Sequence, residues 1–397
     1  VKIYTKQNVF EAALDRMRWV FDNFPNVVVS CSGGKDSDII YRLALIVAEE
    51  KGRLPLPVVW LDQEIEWQMV ADHVKGLMYD ERVDAKWMQI PFLISNATSP
   101  DMPYLDCWDD IKEEEWIRPK DPISIKENVF NETRFHKMFE AFFANWYPDQ
   151  PAAYLAGVRC EESPTRYTAL TSAETYRGVT WGKRLNERRN HYTFYPIYDW
   201  SYTDVWKALH DNKWPYCEIY DYYYQYGTPI REMRVSNLNH ETAVRSLFIA
   251  HEIEPQTWGR ITQRLHGTNT AAVLKDDMTK CPKELPYMFD SWKEYRDYLV
   301  PNLITDTDKQ AYFTKKFAAM DAKFADMLLK EHMHKIHIKA LLANDVESVL
   351  CDNWERSPVI NNLLKFWKGV LHDNNATNPY IDWSKFNADG SRVKIAS

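Results

Sequence analysis

The chain has no long apolar run; none approaches the ~20 residues that a membrane-spanning helix needs, so no membrane segment is expected. It also lacks paired cysteines. Cys31, Cys107, Cys160, Cys217, Cys281 and Cys351 are scattered with no Cys-x-x-Cys spacing, which removes the common metal-clip and dithiol patterns and points to reduced thiols in the cytoplasm. Basic excess is missing too: 49 Lys and Arg stand against 57 Asp and Glu, a net charge of −8, which argues against a surface given over to nucleic acid. Val1-Lys2-Ile3-Tyr4-Thr5-Lys6 carries no signal-peptide core, and there is no internal repeat or low-complexity tract. What remains is ample core material: 45% apolar residues in a chain of 397, enough for one large α/β domain and a substantial second unit.

Periodicity orders that material. Phe10, Ala13, Leu14, Met17 and Val20 recur at helical spacing over Val9 to Phe21, and Asn26 to Ser30 follows as a strand. A helix carrying Ile39, Ile40, Leu43, Ile46 and Val47 comes next, then a strand Val58 to Leu61, a helix Gln68 to Met78 and a strand Ala85 to Ile90 closed by Pro91. Residues 95–130 read as a long irregular loop, Arg134 to Trp146 as a helix, and Ala152 to Val158 as a fourth buried strand. This alternation predicts an α/β fold with a doubly wound, mostly parallel sheet. From about Pro286 the pattern changes to charged helices at Lys293 to Val300, Asp308 to His334 and Val346 to Leu371, before a polar tail from Asp373 to Ser397. The expected organisation is a nucleotide-binding domain over 1–284 and a mostly helical C-terminal region over 285–397.

The chemistry concentrates where the first strand ends. Val27-Val28-Val29-Ser30 breaks into Cys31-Ser32-Gly33-Gly34-Lys35-Asp36-Ser37 and then into helix. Adjacent glycines permit a sharp turn and bring backbone N–H groups close to an anion, while Ser37 and the free amides of the helix's first turn face it along the positive end of the helix dipole. Lys35 adds a mobile cation. The spacing is not that of the Walker loop, in which four residues separate the first glycine from Gly-Lys-Ser/Thr. It is that of the PP-loop, and the chain resembles the ATP pyrophosphatases and their relatives, the phosphoadenosine phosphosulfate (PAPS) reductases and sulfate adenylyltransferases.

In such sheets ligands lie beyond the carboxyl ends of the strands, so the polar residues there are expected to converge: Ser32 to Ser37, Asp62 and Glu64, Asn96, and Arg159, Glu162 and Arg166. Gly157-Val158-Arg159-Cys160-Glu161-Glu162-Ser163-Pro164-Thr165-Arg166 is similar to the Gly-x-Arg-x-x-Glu-Ser-x-x-Arg segment of the PAPS reductase family. Gly157 would let the strand end approach a ligand, and the two arginines offer planar forks for phosphate or sulfate oxygens. Tyr195 to Trp206 also resembles the family, but Ser201 with Asp204 three residues later is a capping box, so that segment reads as architecture. Asp62-Gln63-Glu64 stands where many relatives have Asp-Thr-Gly. With Pro91 to Ser99, Cys107-Trp108-Asp109 and Trp116-Ile117-Arg118-Pro119, it resembles the branch of co-activators of prophage gene expression.

The resemblance implies binding of ATP, or of PAPS or APS, with Mg²⁺ on Asp36 and Asp62; at its strand end Asp62 could instead take a ribose hydroxyl. Lys35, Asp36, Arg159 and Arg166 are the expected catalytic residues. Ser32, Gly33, Gly34, Lys35, Asp36, Ser37, Asp62, Glu64, Gly157, Arg159 and Glu162 are the expected nucleotide contacts. The first reaction implied is α–β phosphate cleavage with adenylylation of an acceptor substrate and release of pyrophosphate. The alternative, a sulfonucleotide reductase of sulfur metabolism, uses either a C-terminal Glu-Cys-Gly segment or an iron–sulfur cluster on paired cysteines; the sequence has neither, and no cluster is expected. A third reading is a nucleotide-responsive regulator acting with a ParB-like partner or DNA, for which Lys183, Arg184, Arg188 and Arg189 form the one concentrated basic run. The tyrosines Tyr216, Tyr220, Tyr222, Tyr223, Tyr224 and Tyr226 read mainly as packing. Homo-oligomerisation is left open by the sequence.

Overall fold

The valine-rich segment Asn26–Ser30 (β1) buries all three of its valines, as a strand covered on both faces must. In this computed structural model, which describes residues 6–99, 102, 104–171, 174–186, 189–235, 237–240, 247–265, 267–268, 281–304, 306–325, 330–343, 345, 347–357 and 360, the chain divides into two compact units. The first comprises Val1–Ile94 and Tyr104–Arg264, the second Ser95–Pro103 and Leu265–Ser397; the division after Arg264 falls earlier than the change of pattern near Pro286.

The first unit opens with Val9–Asn23 (α1), capped by Asn8, whose side chain accepts from the Glu11 amide, and then β1. Lys35–Glu50 (α2), Leu56–Leu61 (β2), Gln68–Met78 (α3), Val83–Met88 (β3), Phe92–Ser95 (β4) and Tyr104–Cys107 (β5) follow. The remainder is Phe135–Trp146 (α4), Ala152–Leu155 (β6), Pro164–Thr171 (α5), Gly182–Asn186 (β7), His191–Phe194 (β8), Tyr202–Asp211 (α6), Ile219–Gln225 (α7), Leu247–Ile253 (α8) and Pro255–Arg264 (α9). The main sheet has the order β3-β2-β1-β6-β8-β7; its first five strands are parallel and β7 is an antiparallel edge. The mostly parallel α/β architecture is therefore as the alternation predicts. After β3 the chain crosses to the other side of β1, so the switch in strand order lies between β1 and β6, which pair from Asn26↔Ala152 to Val29↔Leu155.

Three local differences from the sequence pattern have physical causes. The third strand is set by its register on β2, Leu56↔Val83 through Leu61↔Met88, and so begins before Ala85. The fourth ends at Leu155 because the chain must leave the sheet to bring Gly157 against α2. Within 95–130, β5 pairs with the preceding strand β4, Asp110–Glu115 forms a 3₁₀ turn, and Trp108, Trp116, Ile117 and Arg118 are buried. The segment is therefore partly structured and partly buried, while Ile111, Ile123 and Val129 stay exposed. The capping box at Ser201 and Asp204 opens α6 as expected.

In the second unit, Trp292–Leu303 (α10), Thr307–Lys323 (α11), Lys330–Leu342 (α12) and Val349–Arg356 (α13) gather Val300, Phe313, Phe317, Met320, Phe324, Met333, Leu341 and Trp354 into one core. The helix predicted from Asp308 to His334 is thus two helices. The predicted helix beyond Ile360 and the tail Asp373 to Ser397 lie outside the described residues. No helix among the described residues is long and apolar enough to cross a membrane.

Candidate nucleotide site

The loop between β1 and α2 has the geometry its glycines foretell. Gly33 adopts φ +70, and a Cβ there would stand 2.6 Å from Val70 Cγ1 and 2.9 Å from Val74 Cγ2 of α3, so both conformation and space require glycine. Gly34 is the N-cap of α2 and has no side chain with which to cap it. Ser37 Oγ closes the turn: it donates to the Gly34 carbonyl at 2.7 Å and accepts from the amide of Ser32 at 3.3 Å. The amide of Lys35 donates to the hydroxyl of Tyr220 on α7 at 3.1 Å.

Beyond β6, Gly157 packs directly on the backbone of Asp36 and Ser37, so the segment after it is brought to the start of α2. Arg159 then donates from Nε to Asp36 Oδ1 at 2.6 Å, while Lys35 Nζ donates to Asp36 Oδ2 at 3.0 Å. One carboxylate therefore bridges two nearly buried cations, with side-chain exposures of 8% for Lys35 and 6% for Arg159. Arg159 continues to Glu161 at 3.2 Å and Glu162 at 3.7 Å, and Glu162 pairs with Arg166. Burial and then the charge of Arg234 lower the pKa of Arg166, so an exposed arginine absent from the sequence-based set also contributes to this side of the loop. Lys35, Asp36, Arg159, Glu162 and Arg166 thus form one continuous run of charge at the switch in strand order.

Asp62 and Glu64 lie in a separate, sealed network. Asp62 is fully buried; Oδ1 accepts from Arg118 at 2.9 Å and from the Glu64 amide at 3.0 Å, and Oδ2 from Gln89 at 2.9 Å and Trp87 at 3.2 Å. Glu64, also fully buried, accepts from Arg264 Nε at 2.8 Å and from the Trp108 amide at 2.8 Å. Glu66 completes the cluster: burial, then the charge of Asp62, push its pKa up to about 8. Asn96 belongs to the second unit, where its side chain accepts from Thr98 and donates to the Met102 carbonyl.

Of the four strand ends expected to converge, the contacts unite two, those of β1 and β6. The residues expected to hold Mg²⁺ take other partners in this structure. Both oxygens of Asp36 already hold cations and those of Asp62 take four donors, so as arranged neither carboxylate fits a metal. No three His, Cys, Asp or Glu side chains gather as a metal cage among the described residues. The basic run is partly spent on packing: Arg184 lies over the Tyr192 ring at 5.6 Å and Arg189 donates to the Pro148 carbonyl, while Arg188 lies outside the described residues. Sequence reasoning missed Tyr220, Arg234, Arg118 and Arg264. Arg118 and Tyr220 stood within noted segments, but nothing in a cluster of six tyrosines singles out Tyr220.

Residues 124–226 match the phosphoadenosine phosphosulfate reductase domain, and residues 227–347 match a domain of unknown function (DUF3440). The uncharacterized protein YbdN of Escherichia coli (strain K12) is 30% identical over 285 residues, covering 68% of this chain and 69% of YbdN. Among solved structures, the chain is similar to Candida glabrata FMN adenylyltransferase in complex with FAD and inorganic pyrophosphate, at 15% identity and a TM-score of 0.35, over 55% of this chain and 64% of that one. The chain therefore spans less than two thirds of that relative's length. It is also similar to the phosphate complex of Candida auris PAPS reductase, at 12% identity and a TM-score of 0.33, over 60% of this chain and 98% of that one. The breadth of the match to YbdN, with the reductase-domain match inside it, makes this chain a member of the YbdN family that carries a phosphoadenosine phosphosulfate reductase domain of the PP-loop class.

Proposed function

We propose that the chain binds the polyphosphate of ATP, or of a closely related adenine nucleotide, on Ser32 to Ser37 and transfers the adenylyl group to an acceptor. The observation that carries this reading is the glycine-lined turn at the start of α2, with Lys35 and Arg159 held beside it by Asp36. With the β- and γ-phosphates in the turn, an acceptor oxygen attacks the α-phosphorus, the bond to the bridging oxygen breaks, and pyrophosphate leaves with the electron pair while the acceptor's proton passes to solvent. Backbone amides, Lys35 and Arg159 offset the charge that develops on the leaving group, and fixed donors of this kind supply much of the rate in phosphoryl and adenylyl transfer. No side-chain nucleophile is needed.

The state of the thiols favours this reading over reduction of a sulfonucleotide. A cysteine attacks as its thiolate, which a lowered pKa favours. Burial raises the pKa of Cys31 beside the loop, and burial followed by the charge of Asp199 raises that of Cys160 beside Arg159. The test is release of pyrophosphate and AMP from α-labelled ATP, with water as the fallback acceptor. The parent should release both, and Lys35→Ala should be slower by about 10²-fold, the scale on which one charge-stabilising group acts. Equal rates would overturn the proposal, and sulfite from PAPS in the presence of thioredoxin would replace it with the reductase reading.

A further inference from the structure

Tyr220 is 3% exposed, and its hydroxyl stands at the start of α2, 3.1 Å from the Lys35 amide and 3.6 Å from where a Cβ on Gly34 would be. The amide N–H donates, so the phenolic oxygen accepts and its own O–H remains to be placed. Among the described residues that proton has no acceptor. A buried donor without a partner is uncommon and calls for a specific cause. The ring is held firmly: Trp206 meets it edge-on at 5.5 Å and Lys35 Nζ lies 5.2 Å from its centroid. Burial, followed by the charge of Asp36, raises the phenol's pKa well above its ordinary value, so the group keeps its proton.

We propose that Tyr220 is an anion-binding residue of this site, whose O–H donates to an oxygen of a pyrophosphate-class group seated in the loop. The inference rests on the nucleotide reading above and deepens it. An anion at the start of α2 would ordinarily take the Lys35 amide directly. Here the phenol stands on that amide and passes its polarity outward: a hydroxyl that accepts a hydrogen bond becomes a better donor, and its oriented ring needs little reorganisation on binding. A hydroxyl that served only to cap the amide would leave anion affinity unchanged, or raise it when removed, since the freed N–H could then meet the phosphate.

The experiment is calorimetric titration of the full chain with inorganic pyrophosphate, comparing the parent with Tyr220→Phe, which keeps the ring. The expected result is affinity at least about tenfold weaker in the variant, the loss of a hydrogen bond to a charged group. Equal or tighter binding by Tyr220→Phe overturns the role of Tyr220 and leaves the nucleotide reading standing. Absence of pyrophosphate and ATP binding by the parent overturns both. Should Tyr220→Phe fail to fold, 3,5-difluorotyrosine at position 220 retains the hydroxyl and strengthens it as a donor. Its fluorine resonance should shift on addition of pyrophosphate and its affinity should rise; no shift and no gain overturn the inference.

Discussion

A Cβ placed on Gly157 would lie 2.6 Å from both the carbonyl carbon and the carbonyl oxygen of Asp36. The two strand ends that flank the switch in the sheet therefore meet backbone to backbone, with no room for a side chain. Gly157→Ala must displace either α2 or the segment carrying Arg159. Its expected cost is about 1–3 kcal/mol of unfolding free energy, in the range of an overpacked interior site. Gly76, inside α3 with nothing within 4 Å of its would-be Cβ, is the contrasting position. Gly76→Ala should stabilise by up to about 1 kcal/mol through helix propensity. Urea unfolding of both variants is the measurement, and changes of the same sign would contradict the packing argument.

The bridging role of Asp36 carries a separate expectation. Truncation at Asp36→Ala would leave Lys35 and Arg159 close together, nearly buried and without their shared carboxylate. Breaking a buried pair in this way costs about 3–5 kcal/mol. Inorganic pyrophosphate should then raise the melting temperature of Asp36→Ala more than that of the parent, because the anion replaces the missing charge. Thermal melts with and without pyrophosphate decide the matter. A loss of activity in Asp36→Ala, taken alone, would conflate this electrostatic support with catalysis.

The fold and the loop were legible in the sequence because each depends on local pattern. The bounds of β1 and α3 follow from apolar spacing, and the turn follows from Gly33-Gly34 before a helical run. The fates of Asp62 and Glu64 were not legible, because they depend on partners 56 and 200 residues away, Arg118 and Arg264. A carboxylate at a strand end looks the same in sequence whether it meets solvent, a ribose or a buried guanidinium. The β7–β8 hairpin was hidden for a similar reason. Its basic residues read as one concentrated run of charge; Lys183 and Arg184 are exposed, with Arg184 over an aromatic ring, and Arg189 donates to a carbonyl.

Glu66 gives the first unit a pH dependence of defined sign. In the unfolded chain its carboxyl titrates at its ordinary value of 4.5, whereas burial, then Asp62, push it up to about 8 in the fold; Arg118, the other charged neighbour, opposes the rise. The folded state thus holds a proton that the unfolded state releases between these values. Stability should fall as pH rises through that window. Glu66→Gln, which mimics the protonated side chain, should match the parent at pH 4.5 and exceed it by about 1 kcal/mol or more at pH 8.5, since a tenfold difference in proton affinity between the two states is worth about 1.4 kcal/mol. Urea unfolding of parent and variant at the two pH values is the check. A parent that outperforms the variant at the higher pH would show Glu66 ionised and well paired.

The second unit should respond to acid in the opposite direction, through His337. This imidazole is fully buried between α10 and α11, stacked on Phe317 at 4.2 Å, with Nδ1 3.1 Å from Arg296 Nη1. Arg296 in turn binds both oxygens of Asp321 at 2.9 Å, and His334 reaches Asp321 at 3.1 Å. Burial, then the charge of Arg296, hold the pKa of His337 down to about 3, against 6.5 in the unfolded chain. Unfolding therefore takes up a proton below pH 6.5, and stability is lost as pH falls from there, by up to about 1.4 kcal/mol for each tenfold rise in proton concentration. Burial alone would raise Asp321, but His334 and Arg296 hold it at about 2, so its own contribution is lost only below 3.8. Asp321 thus stays outside the interval from pH 6.5 to 4.5, and a comparison of the parent with His337→Gln reports the part due to His337. Hydrogen exchange of the α12 amides should show local opening that becomes easier across that interval in the parent, and markedly less so in His337→Gln. Identical pH profiles for the two proteins would mean that His337 accepts its proton within the fold.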